Sequence, residues 1–414
     1  MIKRILHTSD WHIGRKLKER DRAEEFQQFF EWLSEIINSE KIDALIVSGD
    51  IFDNSTPSSQ AQELYYSFLA KVSKSSYCRH IVITSGNHDS ASFIDAPSEI
   101  MKMCKIHVVG KASDDKSREV IELKDSNGQT ELIVCAVPYL YERDLITAKK
   151  DDTQADRDSR IKAGIISHYE EVFREAAELQ KTNDVPVVSM GHLFLEAGIT
   201  RTDEGEHSLY LGTAIKVGSD IFPENIAYTA LGHLHSPQSV GRVNMRYSGS
   251  PIALTFGELG VQKSVSIVEF EGKNFKEVKE IPVPVYQIMT RISGDMAEIE
   301  RKIRNLAELK KSVWVEVTYT GSEIAGDIQE RLNEILKDYE NNDYENVEIL
   351  SIRNETAHEI TAHDTEKNLP ATLENIKPLE MLELFFKENE IPKETQEIFT
   401  PLYKEILREM ELDY

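Results

Sequence analysis

Five segments of the chain share one pattern of apolar and polar positions. In each, a short apolar run rich in β-branched residues stops at Ser or Gly, and Asp, Asn or His follows at once. These segments are residues 5–12, 44–50, 81–89, 187–192 and 228–235. Short apolar runs bounded by small residues are typical of buried strands. Because ligands in open α/β sheets bind just beyond the carboxyl ends of the strands, we expect the five polar ends to meet in one site.

Between the first strands, the apolar positions take on helical spacing. Residues 22–38 and 57–72 repeat apolar residues every three or four positions, and Ser58 and Ser59 are candidate N-caps of the second helix. The alternation of strand and helix predicts an α/β fold with a parallel sheet and right-handed crossovers. Residues 240–283 are expected to form antiparallel strands.

Pro282 and Pro284 mark a domain boundary. Beyond them, we predict a small α+β unit with strands near 286–292, 313–320 and 347–352 and helices near 296–309 and 324–339. This unit carries no Asp/His cluster, so we expect it to shape substrate access rather than to perform chemistry. The predicted organisation is a catalytic domain at 1–283, a capping domain at 284–355, a linker at 356–377 and a helical region at 378–414.

The helical region has the pattern of two amphipathic helices. Either this helix pair packs on the chain's own catalytic domain, or it docks in the groove of a partner protein.

Composition and charge narrow the function classes. The chain has 414 residues, with 48 basic and 72 acidic residues and a formal net charge of −24. This charge argues against a dedicated nucleic-acid binder, although a metal pair would add positive charge where a substrate meets the protein. Three cysteines without a CxxC pair fit a reducing compartment. Since we find neither a signal-peptide pattern nor an apolar run of about 18 residues, we expect a cytoplasmic protein without membrane contact.

The polar strand ends have the chemistry of a two-metal hydrolytic site. Carboxylate, amide and imidazole ligands together suit Mn, Fe or Zn better than Ca or Mg, and the absence of Cys argues against a structural zinc site. Two cations about 3.5–4 Å apart need a bridging carboxylate, and Asp50 is the best candidate because it ends the middle one of three early strands. Because such a pair activates water for attack on a phosphoester, we expect phosphodiester or phosphomonoester hydrolysis.

His88 is expected to act beside the metals rather than to bind them. It directly follows Asn87, so the two side chains should not reach the same metal in the same manner. An imidazole next to the metals can protonate a leaving oxygen. Asp53 either orients His88 through a carboxylate–histidine hydrogen bond or caps a loop.

A basic run follows the first strand end, with five basic and two acidic residues between positions 15 and 22. Arg15, Lys16, Lys18 and Arg20 either lie in a solvated loop or contact DNA.

The motifs together resemble a known superfamily, the calcineurin-like metallophosphoesterases. These motifs are Asp10-x-His12, Gly49-Asp50-x-x-Asp53, Gly86-Asn87-His88-Asp89, Gly191-His192 and Gly232-His233-x-His235. Within the superfamily, the residues at 7–14, 49–53, 230–235 and 247–251 resemble those of the SbcD family of nuclease subunits. The resemblance covers essentially the whole chain.

The resemblance implies a β-sandwich core with flanking helices, two bound metal ions and a catalytic His88. One metal, usually Mn²⁺ in this family, would be held by Asp10, His12, Asp50 and His235, and the other by Asp50, Asn87, His192 and His233. The family implies double-strand exonuclease and single-strand or hairpin endonuclease activity on DNA, in break repair, recombination and replication. The archaeal and eukaryotic relatives have His where this chain has Asp53, which leaves the role of Asp53 beside His88 open.

The family also implies a partner, an SbcC-type coiled-coil ATPase. Two nuclease subunits would form a homodimer within a heterotetramer that contains two ATPase subunits. The C-terminal helices would then bind near the root of the partner's coiled coil.

Two other functions remain open at this point. A protein phosphatase or phosphodiesterase would share the metal ligands, but Asn54 and Ser55 follow Asp53 instead of the Asp-Arg-Gly of the protein phosphatases. The second is a scaffold that recruits an ATPase to DNA without catalysis. This function is less favoured, because a scaffold would not need the complete set of expected metal ligands that the chain carries.

Overall fold

The structure is a computed structural model that describes residues 2–147, 153–196, 198–199, 215–321, 331–332 and 346–354 and the single positions 386, 396, 400 and 403. In chain order, the strands are β1 (Arg4–Thr8), β2 (Ala44–Ser48), β3 (His80–Thr84), β4 (Ile106–Val109), β5 (Val120–Lys124), β6 (Thr130–Ala136), β7 (Val187–His192), β8 (Phe194–Leu195), β9 (Lys216–Val217), β10 (Tyr228–Gly232), β11 (Gln238–Val240), β12 (Arg242–Tyr247), β13 (Ser264–Glu271), β14 (Asn274–Pro282), β15 (Ile288–Gly294), β16 (Val313–Tyr319) and β17 (Val347–Asn354). The α-helices are α1 (Ala23–Ser39), α2 (Ser59–Val72), α3 (Ala91–Asp95), α4 (Ser98–Lys102), α5 (Glu142–Leu145), α6 (Gln154–Gln180) and α7 (Met296–Ala307).

Two mixed six-stranded sheets form the centre of the fold. The first has the order β14-β13-β1-β2-β3-β4, and the second has the order β11-β12-β10-β7-β6-β5. Strands β1 to β4 are parallel, as the alternation of strand and helix predicts, and β13 joins β1 in antiparallel orientation. β2 lies between β1 and β3, so the loop after β2 is central at the carboxyl edge of this sheet.

Apolar residues of the strands pack on both faces of each sheet. Along β2, Leu45 and Val47 pack in the cluster that contains the apolar faces of α1 and α2. The alternate residues Ala44 and Ile46 pack instead in a second cluster, with apolar residues of β6, β7 and β10 from the other sheet. The period of two residues along a strand produces this division. The two sheets therefore face each other as a sandwich.

Helices cover the outer faces of the sandwich. The predicted helix at 22–38 is confirmed as α1, and its buried Phe26, Phe29 and Leu33 share one face. Burying each such side chain stabilises the fold by roughly 1.5–3 kcal/mol. The predicted helix at 57–72 is confirmed as α2, and the Ser58 side chain caps it by accepting a hydrogen bond from the Ala61 amide. On the other sheet, α6 packs in a third cluster with residues of β6, β7 and β10.

A smaller unit follows β14. Its strands β15, β16 and β17 are all parallel, and α7 packs Ile299 and Ile303 in one core with Val315 and Val317. Leu17, Phe256 and Trp314 form a small apolar cluster that joins this unit to the sandwich. The predicted helix at 324–339, the predicted linker and the predicted C-terminal helix pair lie outside the described residues, apart from single positions. Within the described residues, no helix has the length and apolar character needed to cross a membrane.

Candidate active site

The predicted polar residues meet where five strands end. In the first sheet, β1, β2 and β3 lead into Asp10, Asp50 and Asn87, and in the second sheet β7 and β10 end at His192 and Gly232, next to His233. The side chains that the structure brings together here are those of Asp10, His12, Asp50, Asn87, His88, His192, His233 and His235. The sheets are separate in hydrogen bonding, so the sandwich packing is what joins the two halves of the site.

The loops that carry these residues have left-handed backbone conformations. The φ angle is 50° at Asp10, 48° at His12, 50° at Asp50 and 103° at His233. Such values are uncommon outside Gly, although Asp and His tolerate them better than most residues. The main-chain amide of Asp10 donates to the carbonyl oxygen of Gly49 at 3.0 Å. The amide of His12 donates to the carbonyl oxygen of Asp50 at 2.9 Å. Strained residues that cluster in this way are typical of functional sites.

Two glycines allow the strand ends to approach closely. A Cβ atom at Gly49, whose φ is +81°, would lie 2.2 Å from Nδ1 of His192. A Cβ atom at Gly86 would lie 2.1 Å from Oδ1 of Asp50. The small residue at the strand ends is therefore a steric requirement of the site.

Asp10, His12 and His235 form a first group of candidate ligands. One potential ligand atom from each residue lies within 4.8 Å of the other two. Nε2 of His12 lies 3.4 Å from Oδ2 of Asp50. The Asp10 carboxylate accepts hydrogen bonds from the Ser9 hydroxyl at 2.5 Å and from the main-chain amide of His233 at 2.8 Å. These bonds fix its orientation.

A second group of candidate ligands contains Asp50, Asn87, His192 and His233. Oδ1 of Asn87 lies 3.1 Å from Nε2 of His192 and 3.1 Å from Nδ1 of His233. Nε2 of His192 also lies 3.3 Å from Oδ2 of Asp50. The same Asp50 oxygen therefore lies next to both groups, which is where a bridging carboxylate is needed.

The electrostatics of this site favour positive charge. Burial alone would lower the pKa of His12 and of His192, but Asp50 outweighs it and raises the pKa of His192 to about 9. Asp50 and Asp53 together raise the pKa of His12 to about 10. Burial alone would raise the pKa of Asp50, but His192 and His12 hold it well below its usual range. A buried carboxylate that is ionised in this way needs cations around it.

The residues present fit a pair of divalent cations. Both ring nitrogens of the buried His12 lack a hydrogen-bond partner among the residues that the structure describes. They lie 3.4 Å from carboxylate oxygens of Asp50 and Asp53. Buried polar atoms are normally satisfied, and a neutral imidazole has one nitrogen with a free lone pair, so one of these nitrogens is available to bind a cation. The combination of carboxylate, amide oxygen and imidazole suits a transition metal such as Mn, Fe or Zn.

The contact between His88 and Asp53 differs from the one expected. Nδ1 of His88 lies 3.0 Å from the main-chain carbonyl oxygen of Asp53, so the bond comes from the backbone and not from the carboxylate. The Asp53 carboxylate lies 3.4 Å from Nδ1 of His12 and 3.4 Å from the Arg15 guanidinium. The reason is that the Asp53 amide donates to the carbonyl of Ile13, which holds this loop against the one that carries His12.

His88 is also close to the candidate ligands. One of its ring nitrogens lies within 4.8 Å of ligand atoms of His12 and Asp50, and its amide donates to Oδ1 of Asp50 at 2.9 Å. Distance alone therefore does not separate His88 from the ligands. Its assignment as a catalytic residue that binds no metal stays a prediction.

Asp89 has a role that the sequence reasoning missed. Its carboxylate accepts hydrogen bonds from the amides of Ile51, Phe52 and Gly86, at 3.0, 2.9 and 2.8 Å. Burial, together with the Asp50 carboxylate, raises the pKa of Asp89 to about 6. The residue joins the loop after β2 to the loop after β3, and its place in the Gly-Asn-His-Asp motif was the available signal.

Glu258 was also missed, and no motif marks it. Oε1 of this buried residue lies 3.1 Å from Nδ1 of His235. Burial alone would raise the pKa of Glu258, but Lys263 and His235 outweigh it and hold the pKa well below its usual range.

The basic run lies beside the site. Lys16 and Lys18 are exposed, whereas Arg20 forms an ion pair with Glu348 of the smaller unit. A cavity of about 190 Å³ lies between this run and the smaller unit, and basic residues make up half of its lining. These are Arg15, Lys16, Lys18, Arg291 and Arg353. Arg291 and Arg353 are the two that the sequence did not single out.

Two family profiles match the chain. The one described as calcineurin-like phosphoesterase matches residues 3–237, which include all the candidate ligands. The one described as type 5 capsule protein repressor C-terminal domain, of the SbcD C-terminal type, matches residues 285–390.

Curated relatives and one solved structure add to this. The D subunit of the nuclease SbcCD of Escherichia coli K12 is 32% identical over 353 residues, which cover 84% of each chain. The corresponding protein of Rhodobacter capsulatus is 34% identical over 311 residues, which cover 73% of this chain and 76% of the relative. A dimetal phosphatase from Danio rerio has 10% identity and a TM-score of 0.37, over 68% of this chain and 99% of that chain, which is too weak to support a conclusion. The profile that matches more than half of the chain and the extended identity to two SbcCD nuclease subunits show that the chain belongs to the SbcD nuclease-subunit family of calcineurin-like phosphoesterases.

Proposed function

We propose that the chain hydrolyses phosphodiester bonds in DNA with two bound divalent cations, as the nuclease subunit of a complex with an SbcC-type coiled-coil ATPase. The observation that carries this proposal is the position of Asp50. Its Oδ2 lies 3.4 Å from His12 of one ligand group and 3.3 Å from His192 of the other. Two such groups around one carboxylate match the needs of a two-metal phosphoesterase.

Asp10, His12, Asp50 and His235 would hold one cation, and Asp50, Asn87, His192 and His233 would hold the other. A pair of divalent cations there would activate a water molecule as the nucleophile and offset charge that develops on the phosphate. We propose Mn²⁺ because the mixed oxygen and imidazole donors suit it and because the chain contributes no thiolate.

His88 would transfer a proton at the leaving oxygen. A carbonyl oxygen only accepts hydrogen bonds, so the contact with the Asp53 carbonyl places a proton on Nδ1 of His88. Nε2 is then the nitrogen that exchanges a proton during the reaction. Burial lowers the pKa of His88, although the Asp50 carboxylate opposes this effect. Asp53 would orient His88 through its main-chain carbonyl and His12 through its carboxylate.

The basic cavity supports DNA as the substrate. Arg15 lines it, and the Arg15 guanidinium is 3.4 Å from the Asp53 carboxylate beside the site. Arg291 and Arg353 flank the buried Glu316 on the other side of the cavity. Cations from both sides of this cavity suit a phosphate backbone, since phosphates dominate nucleic-acid affinity. The formal charge of −24 over the whole chain predicts weak DNA binding by the isolated protein.

The remaining parts of the chain would serve the partner and the substrate. We propose that residues 1–283 form the nuclease domain and that residues 284–355 shape the access of DNA to it. Residues 356–377 would form a linker, and the helices in 378–414 would bind the ATPase coiled coil. The relatives' name, which makes them one component of a nuclease SbcCD, supports assembly with an SbcC protein. Two copies of each subunit would act on DNA ends and hairpins at the nucleoid, in the cytoplasm, during repair and recombination.

The test compares substrates for one preparation of the full chain, with and without the ATPase, Mn²⁺ and ATP. Hairpin DNA, linear duplex DNA and a phosphoserine protein are offered in parallel. We expect Mn²⁺-dependent DNA cleavage that increases with the ATPase, and no release of phosphate from the phosphoprotein. Phosphoprotein hydrolysis without DNA cleavage under any condition would overturn the proposed substrate.

A further inference from the structure

A buried network of polar side chains lies behind His235. The Glu258 carboxylate accepts hydrogen bonds from Nδ1 of His235 at 3.1 Å, from the Ser250 hydroxyl at 3.1 Å and from the Leu254 amide at 3.1 Å. The Lys263 ammonium donates to the same carboxylate at 2.5 Å. Glu258, Ser250 and Lys263 are at most 6% exposed, so the network is shielded from water.

Lys263 ties this network to the main chain of His235. Its ammonium donates to the His235 carbonyl oxygen at 2.9 Å and to the Ser250 hydroxyl at 2.7 Å. The ring and the backbone of His235 are therefore held from the same side by two side chains that also hold each other. Since Lys263 offsets the charge of Glu258, the network adds no net charge behind the ligands.

The hydrogen bond to Glu258 also selects one tautomer of His235. An ionised carboxylate only accepts hydrogen bonds, so Nδ1 of His235 carries a proton, and in the neutral ring Nε2 then holds the lone pair. The ring lies 5.0 Å from that of His12, between their centroids, in the group that also contains Asp10. A histidine whose other nitrogen donates to a carboxylate is the common arrangement for a metal ligand.

We propose that Glu258, supported by Lys263, is a positioning residue that fixes the tautomer and direction of His235 for one of the two cations. This inference rests on the proposed function, because it assigns His235 to a metal. It differs from a purely structural role, in which the pair would only hold the turn at Phe256–Glu258 against the sandwich.

The test measures Mn²⁺ binding by titration calorimetry on the full chain, together with the melting temperature of the metal-free protein. Glu258→Gln keeps an oxygen that can accept from His235, whereas Glu258→Ala removes it. We expect the affinity for one of the two cations to fall about tenfold in Glu258→Gln and towards a hundredfold in Glu258→Ala, the range typical for partners of metal-binding histidines. The affinity for the other cation should stay within about twofold.

Glu119→Gln is the matched control. Glu119 is also fully buried and lies 2.7 Å from a histidine, His168, whose other ring nitrogen is 3.0 Å from Lys116. This group lies outside the candidate site, so its loss should lower the melting temperature without changing Mn²⁺ binding. If Glu258→Gln and Glu119→Gln both have lower melting temperatures and both bind two Mn²⁺ as the wild type does, Glu258 is structural and the inference is wrong. A wild-type chain that binds no Mn²⁺ would instead overturn the proposed function.

A second measurement needs no folded Glu258 variant. NMR of the metal-free wild type with ¹⁵N-labelled histidines reports the tautomer of each ring, and the signal lost in His235→Gln identifies His235. A proton on Nδ1 supports the inference. A neutral ring with its only proton on Nε2 would contradict it whatever the variants do.

Discussion

The carboxylate of Asp50 lies 3.3 Å from Nε2 of His192, although Asp50 follows β2 of one sheet and His192 ends β7 of the other. The same Asp50 oxygen lies 3.4 Å from His12, which follows the strand next to β2. The site therefore depends on how the two sheets pack, and Asp50 is one of the residues, with Asp10 and Asn87, that connect its two halves.

Asp50→Asn should remove DNA cleavage and keep the fold. The amide has the same size but no charge to share between two cations, and losing several kcal/mol of charge stabilisation corresponds to a fall of about a thousandfold in rate. Cleavage of hairpin DNA with Mn²⁺ measures this. Asp43→Asn is the control, since Asp43 is ion-paired with Arg79 away from the site. Equal activity of both variants would rule out Asp50 as a bridge.

His88→Ala should slow cleavage by about a hundredfold to ten-thousandfold, the range for loss of a general acid or base. Two Mn²⁺ should still bind. Single-turnover cleavage and titration calorimetry separate the two effects. Cleavage at the wild-type rate would remove His88 from catalysis. Loss of one Mn²⁺ site would instead make it a ligand, as its distances to His12 and Asp50 allow.

Gly86→Ala should displace the Asp50 carboxylate from its place in the site. The new methyl group would overlap with Oδ1 of Asp50 at 2.1 Å, so we expect a loss of Mn²⁺ affinity together with a lower melting temperature. At Gly128 a Cβ meets nothing within 4 Å, and Gly128→Ala should cost only the roughly 1–2 kcal/mol of a left-handed backbone. If both variants bind Mn²⁺ equally, the close packing at Gly86 is not needed.

The stability of the metal-free protein should decrease below neutral pH in part through His7. Burial, with a contribution from Arg246, lowers the pKa of His7 to about 3, against an ordinary value of 6.5 in the unfolded chain. Only the unfolded state therefore takes up this proton between about pH 6.5 and 3. The free energy of unfolding contributed by His7 is fully present above pH 6.5 and is lost as the pH falls, by about 1.4 kcal/mol per unit.

Urea unfolding at pH 7.5 and pH 5.5 measures this effect. His7→Asn retains a side chain that can reach the hydroxyl of Tyr228, which lies 3.0 Å from Nδ1 of His7. The stability difference between pH 7.5 and 5.5 should be smaller in this variant than in the wild type. An identical pH dependence would show that His7 is protonated as readily in the folded state.

Lys16 and Lys18 should contribute to DNA affinity through phosphates. The double variant Lys16→Ala/Lys18→Ala is expected to bind duplex DNA more weakly whatever its sequence, and each lost contact should reduce the salt slope by about one. Fluorescence anisotropy over a range of salt concentrations measures both. Lys71→Ala/Lys74→Ala removes the same charge from exposed positions around the end of α2. Equal loss in both variants would indicate a general charge effect and no binding track.

Much of the fold and of the ligand set follows from local sequence. The apolar runs that stop at Gly49 or Gly86 predict strand ends because the glycine and the polar residue after it are adjacent in the chain. Contacts over a distance are different. Glu258 reaches His235 across 23 positions from a short turn, and no periodicity marks it. The use of the Asp53 carbonyl rather than its carboxylate likewise depends on the loop conformation, which residue types alone do not determine.

The most direct test of the two-metal site is a crystal structure of the full chain grown with Mn²⁺, with anomalous scattering collected at the manganese edge. The site predicts two anomalous peaks about 3.5–4 Å apart, with an oxygen of Asp50 between them, His12 and His235 at one peak and His192 and His233 at the other. A single peak, or two peaks that do not share Asp50, would contradict it.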